Sequence, residues 1–394
     1  MNIIVTTLLD LEHDRNGVVS VANDLNRLLA GAGHRLTVVT PPSGVPTVRR
    51  SYFLRMRRLI NTLSRTVGSP ALFLVGLRLT VWELGQRMAA DADRCDVVIA
   101  HDPLSAGAAL AAVRNRCPVL LFCHFWTEPW DEFASAGLLP AGSAPYGRLK
   151  RMMAQLLDHP QVTLLPVSES NRLLLRRITT PGREERIRLV YPGVTVPPST
   201  APAADAADHL PVIINVGNLE PRKNQRILPL VAAELLKLGC PCRFILTGPE
   251  ETAEKEYLLA ELRACGVESL FTLTGPQSRR EVLEGMAKAD LYVHTSLMES
   301  FGMTLVEAMA AGTPVMALEY EALHEILPET PEAIIPSGAT PREIAEALLP
   351  LLTDRERRAA LQARQGMLFA RRFSSQAFLS RVLEVIDTSR RQRG

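Results

Sequence analysis

The sequence predicts an α/β protein made of two doubly wound domains, each a parallel sheet covered by helices. Three observations support this prediction. The chain has 394 residues, which is too long for one ordinary core and favours two domains of roughly 200 residues each. Short apolar segments alternate with longer segments of helical periodicity. A stretch rich in proline and alanine, residues 192–211, interrupts the alternation and is interpreted as the interdomain linker.

In the first half of the chain, short apolar segments predict the strands of one sheet. The segment GVVSVANDLNRLLAGAG, between the first two strands, predicts a helix because its apolar residues recur at helical spacing before the closing glycines. The predicted strands are NIIVTTLL, RLTVVT, DVVIA, PVLLFC, VTLLPV and IRLVY. Helical segments or loops separate them, which is the pattern of one doubly wound domain.

The second half repeats this pattern after the linker. Its predicted strands are VIINV, RFILTG, LFTLTG, LYVHTS, PVMAL and AIIP. From about Thr353 the sequence predicts helix throughout. Open parallel sheets bind ligands at the carboxyl ends of their strands. Two such sheets facing each other therefore predict a ligand cleft at those ends.

Composition indicates a soluble globular protein, with 47% hydrophobic and 22% charged residues. No apolar run is long enough to predict a membrane-spanning helix. The start, MNIIVTTLLDLEHD, lacks the basic region and cleavage site of a signal peptide and is interpreted as a first strand. The six cysteines show neither zinc-ligand spacing nor a disulfide framework. We therefore expect a cytoplasmic protein.

Charge is distributed unevenly along the chain. Residues 1–195 carry 23 Lys and Arg against 16 Asp and Glu, whereas residues 196–394 carry 21 against 26. No acidic residue occurs between Asp24 and Glu83, where nine arginines do. The segment Arg49–Arg65 predicts a basic amphipathic helix, and the hypothesis is that it touches an anionic membrane surface on the inner face. The alternative is a helix packed on the sheet with solvated arginines.

The segment LYVHTSLMESFGMTLVEAMAAG predicts a strand, a loop and a helix that begins beside Gly302. Such a helix start presents free backbone N–H groups and the positive end of the helix dipole, which contributes roughly 0.3–2 kcal/mol to binding of an anion. Glu299 lies in the loop and Glu307 about one turn inside the helix. A carboxylate can accept two hydrogen bonds from a vicinal diol, so this pair could hold a hexose and a ribose. The alternative is two ordinary surface acids.

The segment ESFGMTLVEAMAAGTPV, residues 299–315, closely resembles the E-x7-E signature of retaining GT-B glycosyltransferases, in particular glycosyltransferase family 4 (glycosyl transferases group 1). The resemblance covers nearly the whole chain. It implies the GT-B fold, an α/β architecture of two Rossmann-like domains facing each other across a cleft. The N-terminal acceptor-side domain would comprise residues 1–195 and a C-terminal helix at about 374–394. The donor-binding domain would comprise residues 196–373.

The resemblance also implies roles for the residues of this signature. Glu299 would hold hydroxyls of the transferred sugar, and Glu307 would accept the two ribose hydroxyls of the nucleotide. Backbone N–H groups at the helix start would contact the sugar and the diphosphate. The donor-binding residues implied for this segment are Glu299, Ser300, Phe301, Gly302, Met303, Thr304 and Glu307.

The segment VGNLEPRKN resembles the family's diphosphate-clamping loop, which places Lys223 on the phosphates with Arg222 beside it. Family members often carry a basic residue directly after the glycine, where this chain has Asn218. Lys223 and Arg222 therefore remain as the predicted cations. A charge-assisted hydrogen bond of this kind contributes about 1.5–3 kcal/mol. The alternative for these cations is a solvated turn.

In the first half, the resemblance implies a glycine loop near the donor phosphate, and this role falls to Gly17, although DLEHDRNGVV lacks the usual glycine pair. His124, after PVLLFC, corresponds to the family histidine near the transferred sugar, with a structural histidine as the alternative. His101 leaves another strand end and is a candidate for the acceptor pocket. Trp126 and Trp130 either stack on a sugar ring or pack in the core. The predicted catalytic residues are His124, Lys223 and Glu299.

The resemblance also implies a reaction on the donor's front face, with the leaving diphosphate helping to deprotonate the acceptor. The protein then positions the reactants and stabilises charge. The sequence thus predicts a retaining glycosyltransferase that moves a sugar from a nucleotide-diphosphate sugar to a glycan, glycolipid or small-molecule acceptor, including lipid-linked sugars. No cofactor, metal or nucleic acid is expected, and the DAD segment at Asp91–Asp93 is interpreted as solvated surface. The alternatives are a nucleotide-sugar epimerase and a catalytically degenerate nucleotide-sugar-binding protein.

Overall fold

The structure, a computed structural model, describes residues 1–12, 16–41, 68–195 and 210–392. The basic segment Arg49–Arg65 lies outside these residues. The chain divides into two compact units, one formed by Met1–Tyr191 with Phe378–Gly394 and the other by Pro192–Ala377. Each unit contains one parallel sheet and its helices. The predicted α/β class with two Rossmann-like domains is confirmed.

The first unit is built on a five-stranded parallel sheet in the order β2-β1-β3-β4-β5. Its strands are β1 (Asn2–Thr6), β2 (Arg35–Val39), β3 (Val97–Ala100), β4 (Val119–Cys123) and β5 (Val162–Pro166). Every residue of β3 and β4 is buried, as expected for central parallel strands covered on both faces. The strand order reverses between β1 and β3, and ligands of such sheets bind where this reversal occurs.

Most helices of the first unit begin at a residue whose side chain caps them. The helices are α1 (Gly17–Gly31), α2 (Pro70–Met88), α3 (Pro103–Val113), α4 (Asp131–Ser135), α5 (Ala144–Leu157) and α6 (Glu169–Ile178). Asp102 caps α3 by accepting from the N–H of Ser105, and it also accepts from the N–H of Leu8 at 2.8 Å. This second bond joins the loop after β1 to the start of α3. Ser168, at the end of β5, caps α6 by accepting from the N–H of Asn171.

The predicted strand IRLVY is wrong. Ile187 forms only an isolated parallel bridge with Leu164, and the N–H groups of Arg188 and Val190 donate to carbonyls of β5. The next bond of a parallel ladder would need an N–H from Pro166, which proline lacks. The segment therefore stays extended beside β5 without becoming a sixth strand.

The second unit is built on a six-stranded parallel sheet in the order β11-β10-β9-β6-β7-β8. Its strands are β6 (Val212–Val216), β7 (Arg243–Thr247), β8 (Phe271–Gly275), β9 (Leu291–His294), β10 (Val315–Leu318) and β11 (Ile334–Ile335). The order reverses between β6 and β9. The loops that leave these two neighbouring strands are the predicted clamping loop and the start of the E-x7-E segment. The topology thus brings two segments about 75 residues apart to one point of the sheet.

The helices of the second unit follow its strands, and the last helix of the chain continues into the first unit. They are α7 (Leu228–Lys237), α8 (Thr252–Cys265), α9 (Arg279–Ala287), α10 (Met303–Ala310), α11 (Leu323–Ile326), α12 (Pro341–Thr353), α13 (Arg355–Arg372) and α14 (Ser375–Arg391). The C-terminal region is not helical throughout, because α13 ends at Arg372 and Phe373 is buried against the Phe301 ring, 5.7 Å between centroids. In the first unit, Phe378 of α14 packs edge-on against Phe122.

No helix among the described residues is both long enough and apolar enough to cross a membrane.

Candidate active site

The loop after β6 is attached to the loop after β9 by main-chain and side-chain hydrogen bonds. The N–H of Leu297 donates to the carbonyl of Arg222 at 3.0 Å, and the Thr295 hydroxyl donates to the carbonyl of Lys223 at 2.7 Å. Asn215, in β6, donates its amide to the carbonyl of Val293 at 2.8 Å. These bonds hold both cations against the start of the E-x7-E segment.

Gly248 allows the loop after β6 to pass close to the loop after β7. It has φ +149°, and a Cβ there would lie 2.1 Å from the carbonyl oxygen of Gly217. Such a distance is far inside van der Waals contact, so only glycine fits at this position. The Lys223 side chain lies beside Gly217, 3.4 Å from where a Cβ of that residue would be.

Lys223 and Arg222 form a partly buried ion cluster with Glu299. Lys223 Nζ donates to Glu299 Oε1, and Arg222 Nη1 donates to Glu299 Oε2 at 3.2 Å. The side chains of Glu299 and Lys223 are only 12% and 15% exposed. Burial alone would raise the pKa of Glu299, but the neighbouring cations outweigh it and lower this pKa to about 2. The alternative of a solvated turn is therefore wrong, because the structure brings Arg222 and Lys223 together with Glu299.

His294, which the sequence analysis missed, lies behind this cluster at the end of β9. Its Nδ1 is 3.0 Å from the Tyr292 hydroxyl, which donates to Thr304 Oγ1 at 2.8 Å. Its Nε2 is 3.6 Å from Glu299 Oε1. Burial lowers the pKa of His294 to about 4, and the Glu299 carboxylate only partly opposes this. His294 is therefore neutral at pH 7, and the positive charge facing Glu299 comes from Lys223 and Arg222.

The start of α10 depends on Gly302 and on Tyr320, a residue that the sequence analysis did not single out. Gly302 has φ +105°, and a Cβ there would lie 2.2 Å from the Tyr320 hydroxyl. That hydroxyl donates to the carbonyl of Phe301 at 2.8 Å. Because the N-cap residue is glycine, no side chain caps α10. The N–H groups of Met303 and Thr304, in the first turn, therefore receive no side-chain cap, as in helix-start anion sites.

Glu307 lies inside α10 and is 6% exposed. Its Oε1 accepts from Arg279 Nε at 3.1 Å. Arg279 is the first residue of α9 and lies outside every motif that predicted the site. The side chains of Glu299 and Glu307 are only 12% and 8% exposed. The alternative that they are ordinary surface acids is therefore wrong.

In the first unit, two histidines meet at the carboxyl ends of β3 and β4. His101 Nδ1 is 3.2 Å from His124 Nε2, and both rings lie nearly parallel to the Phe122 ring, with centroids 5.1 and 5.8 Å from it. Burial lowers the pKa of His124 to about 3. Burial, followed by the nearby His124, lowers the pKa of His101 well below its ordinary value. The pair is thus neutral at pH 7 and can offer hydrogen bonds but little basicity.

The other candidates of the first unit have different surroundings. Gly17 is the exposed first residue of α1, which the Asn16 side chain caps. Trp130 is 3% exposed and donates its indole N–H to Glu128 at 2.7 Å, so it packs in the unit. Trp126 is 38% exposed and stays available for contact with a sugar ring.

Among the described residues, no group of three or more His, Cys, Asp or Glu side chains is placed to hold a metal ion. Asp93, from the DAD segment, has a 76% exposed side chain that pairs with Arg116. This exposure agrees with its interpretation as solvated surface.

Two family models match the chain. The model described as Glycosyltransferase Family 4 matches residues 15–196. The model described as Glycosyl transferases group 1 matches residues 201–365. The first match falls on the first unit and the second on the unit that carries Lys223, Glu299 and Glu307.

Curated relatives include D-inositol 3-phosphate glycosyltransferases. That of Thermobispora bispora is 32% identical over 215 residues, which cover 51% of this chain and 50% of that protein. That of Nocardia farcinica is 31% identical over 185 residues, covering 44% of this chain and 41% of that protein. The chain spans about half the length, or less, of these curated relatives.

Solved structures resemble this chain over almost its entire length. Sucrose-phosphate synthase from Thermosynechococcus elongatus has a TM-score of 0.71 at 16% identity, with 98% of this chain and 99% of that chain covered. Anabaena HepE in complex with UDP and glucose has a TM-score of 0.67 at 18% identity, with 98% and 99% covered. At such identities the likeness shows the fold. By the two family models, which match residues 15–196 and 201–365, the chain belongs to glycosyltransferase family 4, the group 1 glycosyl transferases, and it has the GT-B fold of two Rossmann-like units.

Proposed function

We propose that this protein is a retaining glycosyltransferase that moves a sugar from a nucleotide-diphosphate sugar to an acceptor hydroxyl. One observation carries the proposal: Lys223 and Arg222 are held against Glu299 beside the uncapped start of α10, the helix that also contains Glu307. Cations and a helix start suit a diphosphate, and buried carboxylates suit hydroxyl groups.

On this proposal the second unit binds the donor. The diphosphate takes hydrogen bonds from Lys223, from Arg222 and from the first N–H groups of α10. Glu299 accepts hydrogen bonds from hydroxyls of the transferred sugar, and Glu307 accepts them from the ribose. HepE, which shares the fold, has been solved with UDP and with UDP-glucose, so uridine donors are the first to test.

The reaction would proceed on one face of the donor sugar. The bond between the anomeric carbon and the diphosphate oxygen breaks, and its electron pair leaves with the diphosphate. The acceptor oxygen forms its bond to the same carbon from the same face, and its proton passes to the departing diphosphate. Lys223, Arg222 and the start of α10 stabilise the charge that develops on the leaving group. Because these groups supply positive charge, we propose no metal and expect donor binding to persist in EDTA.

His124 would donate a hydrogen bond to the transferred sugar or the acceptor. A histidine with a pKa of about 3 is a poor proton acceptor at pH 7. Its proposed role is therefore orientation of a hydroxyl group, which agrees with a mechanism in which the leaving diphosphate takes the proton. We expect His124→Asn to lower kcat while nucleotide affinity stays within about twofold of wild type.

The acceptor proposal starts from the curated relatives, which are D-inositol 3-phosphate glycosyltransferases. We include D-inositol 3-phosphate in an acceptor panel with glycans, glycolipids and lipid-linked sugars. The proposed location is the cytoplasm. Attraction of Arg49–Arg65 to an anionic membrane is a separate proposal, which liposome co-sedimentation at low salt would test.

Calorimetry with UDP-, GDP-, ADP- and TDP-sugars tests the donor site directly. We expect one nucleotide to bind the wild type, and Glu307→Ala to weaken this binding at least about tenfold. Failure of all four to bind would contradict the proposal. With the right acceptor, NMR of the product should show the anomeric configuration of the donor. A sugar altered without acceptor would instead indicate an epimerase, and binding without any turnover a degenerate member.

A further inference from the structure

We infer that Arg279 is a positioning residue, which holds the Glu307 carboxylate oriented for the ribose hydroxyls of the donor. The inference rests on the proposed function, in which Glu307 binds those hydroxyls. Arg279 precedes Glu307 by 28 positions and lies outside the E-x7-E segment, on the neighbouring helix α9.

The contact itself is direct. Arg279 Nε donates to Glu307 Oε1 at 3.1 Å, and the two side chains are 25% and 8% exposed. A carboxylate removed from water to this degree is costly unless a cation or hydrogen-bond donors compensate. Arg279 provides both a charge and an N–H group at the carboxylate that the proposed function assigns to the ribose.

The place of Arg279 in its own helix gives a second reason. Ser278 caps α9, and the Glu281 carboxylate accepts a hydrogen bond from the Ser278 N–H at 2.7 Å, so a reciprocal capping box already stabilises this end of the helix. A cation in the first turn opposes the helix dipole, which favours acidic residues there. Local structure therefore does not explain an arginine as the first residue of α9, whereas its contact with Glu307 does.

A bonded guanidinium would affect ribose recognition through the orientation of the carboxylate. It restricts the rotation of the Glu307 carboxylate, so that the accepting lone pairs face one direction. Loss of Arg279 removes this restriction and should therefore reduce the preference for ribose over 2′-deoxyribose.

The next residue, Arg280, provides a matched control. It lies in the same first turn and carries the same charge, but its Nε donates to Glu284 Oε1 at 2.7 Å on an exposed face, with its own side chain 81% exposed. Arg280→Met removes one positive charge from the start of α9 without touching Glu307.

The experiment is calorimetry on the full chain with UDP, GDP and ADP, each paired with its 2′-deoxy form. The variants are Arg279→Met, Arg279→Lys and Arg280→Met. For the nucleotide that binds, we expect the wild type to prefer the ribose form at least about tenfold. Arg279→Met should reduce this ratio to about threefold or less and Arg280→Met should leave it unchanged. Arg279→Lys should fall between, since lysine lacks the planar fork.

The ratio of affinities for the ribose and 2′-deoxy forms separates positioning from a purely structural role. Loss of a purely structural residue would weaken the binding of both forms equally. An unchanged ratio in Arg279→Met, with the ribose form still bound, would overturn the inference and leave the proposed function intact. Failure of every nucleotide to bind the wild type would overturn both. If circular dichroism shows that Arg279→Met does not fold, Arg279→Lys decides, and a wild-type ratio in that variant overturns the inference.

Discussion

Both sheets are parallel and place polar side chains at the carboxyl ends of their strands, but these side chains are neutral in the first unit and charged in the second. In the first unit burial acts on His101 and His124 without a counter-charge, and both stay neutral. In the second unit burial acts on Glu299 as well, but Lys223 and Arg222 outweigh it and the carboxylate stays charged. The comparison teaches that burial keeps a group neutral unless partners of opposite charge outweigh it, as Lys223 and Arg222 do at Glu299 but Glu299 does not at His294.

This difference matches the two halves of the proposed reaction. A charged cluster beside a helix start suits the anionic diphosphate and the charge that develops on it. A neutral pair of imidazoles suits uncharged sugar hydroxyls, for which hydrogen bonds suffice. The following predictions test whether the two sheet ends differ in this way.

The largest effect is expected for Lys223→Met, which leaves the buried Glu299 with Arg222 alone. We expect the free energy of unfolding to fall by about 3 kcal/mol and nucleotide-diphosphate affinity to fall at least about tenfold. Urea unfolding and calorimetry measure the two effects. The control is Lys255→Met, because Lys255 pairs with Glu250 at 2.5 Å but is 42% exposed, and exposed pairs contribute little. Equal losses of unfolding free energy in Lys223→Met and Lys255→Met would contradict the conclusion that the buried pair with Glu299 contributes more than an exposed pair.

Gly302→Ala should have the next largest effect. The added Cβ would lie 2.2 Å from the Tyr320 hydroxyl, and φ +105° is unfavourable for alanine. We expect a loss of about 2–3 kcal/mol in urea unfolding. Gly338→Ala is the control, since a Cβ there meets no atom within 4 Å. Equal stability of Gly302→Ala and wild type would show that the start of α10 is less constrained than the structure indicates.

The pH dependence of stability distinguishes the two sheet ends. Because the pKa of His124 falls from 6.5 to about 3 on folding, the unfolded chain binds more protons in this window. Stability should therefore decrease as pH falls from 6.5 towards 3, by up to about 1.4 kcal/mol per pH unit for this residue. His124→Phe should make the slope shallower in urea unfolding across this range.

Glu299 should affect stability in a lower pH range than His124. Its pKa falls from 4.5 to about 2 on folding, so its contribution is complete above 4.5 and is lost as pH drops towards 2. Glu299→Gln should therefore change the slope only below about pH 4.5. A change of slope at pH 5–6 in Glu299→Gln would contradict the assignment of charges at this end of the second sheet.

The smallest effect is expected for Tyr320→Phe, which removes the hydroxyl that donates to the Phe301 carbonyl at 2.8 Å. One such bond contributes about 1 kcal/mol. The same hydroxyl is the nearest atom to a Cβ at Gly302. The double variant with Gly302→Ala should thus lose less stability in urea unfolding than the sum of the single variants. Strict additivity would show that this overlap is relieved in another way.

Much of the fold followed from the sequence because parallel strands are buried on both faces and appear as continuous apolar segments. The wrong strand, IRLVY, is apolar too, but its pairing needs an N–H that Pro166 lacks. That failure depends on which residue lies opposite. In the same way, Lys223, Glu299 and Glu307 were found from motifs, whereas Arg279, His294 and Tyr320 were not. These three act through contacts with residues of the E-x7-E segment: Arg279 with Glu307, His294 with Glu299, and Tyr320 with Phe301.

The sequence by itself determined the alternation of strands and helices, the glycine at the start of α10, and the two glutamates of the E-x7-E segment with the cations Arg222 and Lys223. These features are local, because periodicity, turn chemistry and charge belong to short segments of chain. Only the tertiary structure decided that Lys223 and Arg222 meet Glu299, that Arg279 meets Glu307, and that His101 and His124 stay neutral. Partners and protonation depend on distance and on the loss of water, and both exist only once the sheet has aligned its strand ends.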